Sequence, residues 1–218
     1  MMKLHVVPAD QKQARVRQPD TGRYHYCTAR DGRLDEVFAL RYRAYFEQGY
    51  IGENPRRRFF DDFDYEPNCR SFLTYFGEQP VGSIRTCLWT PQQRLDIPAM
   101  EIFDEEIRRE VGYGQRIMET NKFVVSPEFQ RRGGIAARFS IYRSALDVVH
   151  EEQVEVVVIA VREEHIDFYR LLGFKQISDL RSYPHLNFNT ALLACYDLDF
   201  MSDFIIGRTN ALRIDRAG

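Results

Sequence analysis

Between Arg116 and Ile177 the hydrophobic period changes in an order that few architectures accommodate. Ile117, Glu119, Asn121, Phe123 and Val125 alternate with Met118, Thr120, Lys122 and Val124, the two-residue period of a strand. A turn at Ser126-Pro127 and a basic, glycine-containing loop, Gln130 to Gly134, come next. Ile135, Phe139, Tyr142, Leu146 and Val149 then recur at helical spacing. Val154 to Val161 is almost wholly apolar and β-branched, as a strand covered on both faces requires. A short helix carries Tyr169 into Leu172-Gly173-Phe174, where Gly173 suits a helix C-cap. This βαβα succession predicts an α/β protein: a mixed, twisted sheet of six or seven strands flanked by helices. Arg116–Val125 and Val154–Val161 are expected to be adjacent and parallel, joined by a right-handed crossover through the helix Ile135 to His150.

The loop before that helix has two readings. A helix starting near Gly134 offers unpaired N–H groups and the positive end of its dipole, glycines admit close approach, and Arg131 and Arg132 add charge, so the loop suits a phosphate. Gly-Gly turns before helices are also ordinary solvated loops, and composition alone does not separate the two.

Two motifs carry a resemblance. Arg131-x-x-Gly134-x-Ala136 is similar to the acyl-donor motif of the GNAT (N-acetyltransferase) superfamily, and Phe168 to Phe174 looks like that superfamily's later helix, with its tyrosine before Leu-Gly-Phe. They stand about forty residues apart, in the superfamily's order. The resemblance implies a GNAT-like fold and a pantetheine diphosphate held at Arg131, Arg132, Gly133, Gly134 and Ala136.

Composition restricts the classes. Lys+Arg 30 against Asp+Glu 32 gives net charge −2, which makes no bulk electrostatic case for a nucleic-acid partner. No apolar run reaches membrane-spanning length, and the apolar stretch in MMKLHVVPADQK is too short for a secretory signal. Cys27, Cys69, Cys87 and Cys195 form no C-x-x-C pair and lack nearby histidines, so reduced thiols rather than a metal site are expected. A cytoplasmic protein follows. Residues 1–23 read as an N-terminal arm, 24–207 as a single domain, and 208–218 as a basic, mobile tail.

The N-terminal half places charge where apolar residues belong. A helix from Leu34 to Gln48 has a stripe of Leu34, Val37, Phe38, Arg41 and Tyr45. An arginine there either finds a carboxylate or an anionic ligand, or snorkels over the core edge. Asp61, Asp62 and Asp64 are its obvious partners; their run lacks the cadence of a calcium loop. Cys69–Phe76 and Val81–Trp89 form a hairpin in which Val81, Ser83, Arg85, Cys87 and Trp89 share a face, making Arg85 a second arginine among apolar neighbours.

The order Leu40-Arg41-Tyr42, Asp61-x-x-Asp64, Val81 to Arg85 and Glu119 to Val125 resembles the autoinducer (acyl-homoserine-lactone) synthases and the N-acyl amino acid synthases. The resemblance implies that Arg41, Asp61, Asp64 and Arg85 surround the acceptor amine. Two departures matter: Lys122 replaces the usual arginine, and the tryptophan of autoinducer synthases is absent where Tyr50-Ile51 stand. They favour an amino acid or other small amine over S-adenosylmethionine. Coenzyme A and acyl carrier protein both remain as the acyl donor, and carrier protein as a possible partner.

Acyl transfer needs a neutral amine, a carbonyl beside it and a thiolate that leaves. Glu119 is the candidate general base, or else the strand-centre ion-pair partner of Arg85 or Lys122. Tyr169 is the candidate acid for the departing sulfur, or else a core tyrosine with its hydroxyl satisfied. Backbone N–H groups of Phe123, Val124 and Val125 are expected to hold the pantetheine arm where the parallel strands part. No metal is required. An ordinary acetyl-coenzyme A-dependent acetyltransferase and a non-catalytic acyl-binding module are the alternatives, and oligomeric state is not legible.

Overall fold

The computed structural model describes residues 23–30, 32–132, 134–183, 186–212 and 214–216, with the side chains of 131, 132, 211, 215 and 216 left out. Among the described residues the sheet has nine strands. Six have five or more residues: β1 (Tyr24–Thr28), β2 (Cys69–Phe76), β3 (Gln79–Trp89), β4 (Ile117–Val125), β5 (Val156–Val161) and β8 (Asn189–Cys195). The two-residue strands are β6 (Lys175–Gln176), β7 (Arg181–Ser182) and β9 (Asp215–Arg216). The order is β6-β8-β5-β4-β3-β2-β1-β9, with β7 also on β8. Pairing is antiparallel except at β4–β5 and β1–β9. The expected parallel neighbours are therefore present, in a mostly antiparallel mixed sheet.

Helices cover both faces. α4 (Gly134–Glu151) crosses one of them beside α6 (Leu198–Thr209), burying Phe139, Tyr142, Leu146 and Val149 against Ile84, Met118 and Val157. Ile135, expected in that stripe, lies in the first turn of α4 and is 71% exposed. On the other face α1 (Leu34–Glu47) packs Val37, Phe38 and Leu40 on Leu73 and Val124, and α2 (Met100–Glu106) packs Phe103 over Cys87, Ile117 and Val158. A π-helical turn, Ile107–Val111, extends α2. The segment read as a tail begins inside α6, which ends at Thr209, and Asp215–Arg216 pair with β1.

Two bulges decide which side chains face which helices. Between the pairs Ser83–Val124 and Arg85–Asn121, β3 contributes only Ile84 while β4 contributes Lys122 and Phe123. Lys122 sits at φ +50°, in the left-handed region where side chains are rare. The strict alternation read for β4 is thereby broken: Asn121 and Lys122 both reach the α1 face, Val124 packs under α1, and Phe123 and Val125 turn to α4. A second bulge, where Val81 has no partner between Thr74 and Tyr75, turns Val81 to α4 as well, so it does not share Arg85's face. Gly82 lies against the β4 bulge; a Cβ there would meet Val124 O at 2.2 Å and Ile141 Cδ1 at 2.4 Å.

Candidate active site

Arg41 and Arg85 are wholly buried, and each has found carboxylates. Asp62–Tyr65 form a single 3-10 turn in which Asp61 and Asp64 cap each other's backbone, and this turn aims both acids at the sheet. Arg41 Nη1 donates to Asp64 Oδ1 at 2.7 Å and Nη2 to Ser71 Oγ at 2.8 Å. Arg85 Nη1 meets Asp61 Oδ1 at 2.5 Å and Asp64 Oδ2 at 3.1 Å. Lys122 Nζ closes the group on Asp61 Oδ2 at 3.0 Å, with the Phe59 ring centroid 3.9 Å away. Burial would raise the Asp61 pKa, but the Arg85 hydrogen bond and the charges of Lys122 and Arg85 outweigh it and hold it at about 2. Asp64 is likewise held low, the Arg41 and Arg85 charges overcoming burial. Burial lowers Lys122 to about 8 despite Asp61. Arg41 and Asp64 have no exposed side-chain surface; Asp61 (36%) and Lys122 (14%) are the members that reach the cleft.

Glu119 joins the group through an intermediary. Arg85 Nε donates to Asn121 Oδ1 at 2.8 Å, and Asn121 Nδ2 donates to Glu119 Oε1 at 2.8 Å. A guanidinium only donates, so the amide oxygen must face Arg85 and the amide nitrogen must face Glu119. Ala99 N–H gives Glu119 Oε2 a second bond at 2.6 Å. Glu119 makes no ion pair with Arg85 or Lys122; two neutral donors fix it, and burial raises its pKa to about 7. Burial raises the pKa of Tyr183, whose hydroxyl donates to Pro98 O at 3.1 Å, and the Glu119 charge nearby adds to the rise.

Glu119 is also the last β4 residue in register with β5, opposite Val158. Past that pair β4 runs on to Val125 and β5 to Val161 without pairing, so the parallel strands part where the base candidate sits. On the α4 face of the gap, Tyr142 and Tyr169 share a 2.8 Å hydroxyl–hydroxyl bond, and both are buried. Tyr169 lies on α5 (Ile166–Leu171), which ends at Gly173 with φ +89°. Burial raises the Tyr169 pKa to about 12. Behind the tyrosines an apolar cavity of about 20 Å³ is lined by Met118, Leu146, Val149, Val157 and Met201 among others. Residues 127–132, read as a turn and a loop, instead form a short helix, α3 (Pro127–Arg132). Proline at its first position favours it, having no N–H to lose there. Gly133 and the Arg131 and Arg132 side chains lie outside the described residues; Gly134 opens α4, with Ala136 packed at the edge of the core.

The model of the N-acyl amino acid synthase FeeM family matches residues 36–196. The chain belongs to that family. This family member is an acyltransferase that moves an acyl group to an amine. No curated protein matches its sequence significantly. In the FeeM-family acyltransferase, 84% of the chain aligns with 95% of FeeM, an N-acyl amino acid synthase from uncultured soil microbes, at 24% identity and a TM-score of 0.69. The coenzyme A-dependent acyl-homoserine lactone synthase BjaI has 15% identity over 90% of this chain and 94% of its own, with a TM-score of 0.62. A putative N-acetyltransferase from Lactobacillus plantarum has 13% identity over 81% and 98%, with a TM-score of 0.54. These likenesses show the shared GNAT-like fold.

In this acyltransferase Arg41, Asp61, Asp64 and Arg85 come together as one charged group, with Glu119 attached through Asn121. Tyr169 is not part of it and approaches from the other face. Sequence reading missed Asn121 as the link, Ser71 as the second Arg41 partner, and Tyr142 as the partner of Tyr169. Asn121 was findable, standing in the same alternating set as Glu119; nothing near Ser71 in sequence marks it.

Proposed function

We propose that this enzyme transfers a fatty acyl group from the pantetheine thioester of coenzyme A or acyl carrier protein to the amine of a small acceptor, an amino acid foremost. The observation that carries the reading is Glu119: a carboxylate with a pKa raised to about 7, held by neutral donors at the point where β4 and β5 part. Such a group takes a proton at neutral pH. The acceptor amine loses its extra proton to Glu119, directly or through one water, and its nitrogen attacks the thioester carbonyl carbon. The carbon–sulfur bond then breaks, the new amide nitrogen releases its remaining extra proton to water in the cleft, and the sulfur leaves with a proton from Tyr169, which takes one back from water by way of Tyr142.

The partition of polar groups supports the assignment. Asp61 and Lys122, the cleft-facing members of the network, suit an ammonium and a carboxylate respectively. Arg41, Asp64 and Arg85 lie beneath and hold them in place. Backbone N–H groups of Phe123, Val124 and Val125, beyond the last β4–β5 pair, suit the pantetheine arm, with Arg131, Arg132, Gly133, Gly134 and Ala136 at its diphosphate. The apolar cavity suits the start of an alkyl chain, with Met118 and Met201 as its most adaptable walls. Residues 24–207 act in this reading as one catalytic domain, working in the cytoplasm.

Mass spectrometry of reactions containing mixed acyl-coenzyme A species, acylated carrier protein and the amino acids tests this directly. A long-chain N-acyl amino acid is the expected product. An acetylated amine as the only product, or donor binding with no product, would replace the proposal with the corresponding alternative.

A further inference from the structure

Cys69 and Cys87 have no part in the chemistry above, yet they stand directly opposite each other on β2 and β3. The adjoining pair is tied by Leu88 N–H to Asn68 O at 2.9 Å. By the alternation of an antiparallel ladder, Cys69–Cys87 is then a pair without hydrogen bonds of its own, the kind whose Cα atoms stand about 4.5 Å apart with side chains together. Both side chains enter the apolar cluster beneath α2. Both thiols are free, Cys87 wholly buried and Cys69 half-buried, so Cys69 is the sulfur that an outside reagent meets first. Cys69 also counts among the groups that, after burial, push the Cys87 thiol well above its ordinary pKa. Cys27 and Cys195 pack in other clusters.

The pair's surroundings give it a consequence. Ser71 and Arg85 form the next pair on the same face, and Cys87 is itself opposite Glu119 on β4. Ser71 holds Arg41, and Arg85 holds Asp61 and, through Asn121, Glu119. Cross-linked cysteines settle with Cα atoms about 5.5–6 Å apart. The range they span begins at about 4.4 Å, so the pair can close as it stands, and a bond that relaxes to the commonest spacing spreads β2 from β3 by about 1 Å beside the proposed acceptor site; a misplacement of that size can cost a hundredfold in rate.

We propose that Cys69 and Cys87 form a redox modification site, a dithiol that small-molecule disulfides oxidise to an intramolecular bond, suppressing acyl transfer until it is reduced. The Cys69 thiolate attacks one sulfur of the disulfide, displacing a thiolate that takes up the proton Cys69 lost. The Cys87 thiolate then attacks Cys69 Sγ in the mixed disulfide and displaces the second thiolate, which takes up the Cys87 proton. Two protein thiols are oxidised and one small disulfide is reduced to two thiols.

The test treats the reduced full-length protein with oxidised glutathione. Expected are a mass lower by two hydrogens, loss of two of the four titratable thiols, and a linked peptide joining Cys69 to Cys87. Cys69→Ala abolishes the link, whereas Cys27→Ala and Cys195→Ala keep it. A stable glutathione adduct at Cys69, a bond to another cysteine, or no reaction overturns the site. The activity arm rests on the function proposed above: kcat/KM for the acyl product falls at least tenfold on oxidation and returns with dithiothreitol, while Cys69→Ala keeps its activity in oxidant. Full activity of the bridged protein overturns the suppression. Absence of acyl transfer from the reduced protein defeats the function reading instead, and leaves the peptide map to judge the site.

Discussion

β4 serves two sides of the molecule by different physical means. Toward α1 and α2 it presents Glu119, Asn121 and Lys122 to two buried arginines and two aspartates. Toward α4 it presents Met118, Thr120 and Phe123 to aromatic rings and an apolar cavity. On the charged side every group is fixed by another, and the geometry is over-determined: Arg85 sets Asn121, which sets Glu119. On the apolar side the gap between the parallel strands and a single hydroxyl pair provide the polar features. Buried ions are costly singly and stable together, whereas an apolar wall loses only the contacts that are removed. A substitution on the charged side should therefore spread through its neighbours, and one on the apolar side should stay local.

The largest effect expected is from Glu119→Gln, which keeps the shape and removes the base. Loss of a general base costs about 10²–10⁴ in rate, so kcat should fall about a thousandfold. Wild-type kcat/KM should climb with pH through about 7 as Glu119 ionises, and the variant should lack that limb. A retained limb would show that another group carries the proton.

Arg41→Met comes next. It strands Asp64 without its main partner, and breaking a buried pair costs about 3–5 kcal/mol. Urea unfolding should show that loss, partly recovered in the double variant Arg41→Met with Asp64→Leu. Where the protein is folded, KM for the acceptor should rise while donor KM stays at the wild-type value. Equal changes in both KM values would erase the distinction between the two sides.

Tyr169→Phe should lower kcat by about a hundredfold, the lower end for a proton-transfer group, with donor KM unchanged. Because the change leaves the buried Tyr142 hydroxyl without this partner, stability should fall by about 1–3 kcal/mol. An unchanged kcat would return Tyr169 to a packing role. The smallest effect belongs to Arg131→Ala with Arg132→Ala, which should raise the donor KM about tenfold, consistent with one charge-assisted bond, and leave kcat near wild type. If coenzyme A and carrier-protein donors both keep their wild-type KM, the diphosphate lies elsewhere.

The sequence made the architecture readable because each element announces itself locally. β-branched Val154–Val161, the stripe of α4 and the glycine after α5 need no knowledge of what packs against them. Arg41 and Arg85 were legible as misfits, charges at apolar positions whose cost demanded partners, and the Asp61–Asp64 run was the nearest supply. What escaped depended on register. Ser71 reaches Arg41 only because β2 pairs with β3 as it does, and Asn121 reaches Glu119 and Arg85 only because of how β4 meets β3. Strict alternation put Val124 and Phe123 on the wrong sides because one residue in the left-handed region, Lys122, resets the count, and lysine gives no glycine-like warning. Helix α3 was hidden for a similar reason: Ser-Pro reads as a turn, yet serine followed by proline is also how a helix starts.

The β4 bulge has a consequence for the routes by which such a chain diverges. Deleting Lys122 would restore an unbroken alternation in which Asn121 still faces α1 and Phe123 still faces α4, so the loss would fall on the charged group, which gives up the ammonium on Asp61. A single-residue length change elsewhere in β4, where no bulge absorbs it, would instead invert several outlooks at once. Gly82 adds a second lock, because its missing Cβ is the space into which the Val124 carbonyl projects. Variants of this enzyme with altered substrate range are therefore expected to arise by exchange of side chains around a strand of constant length.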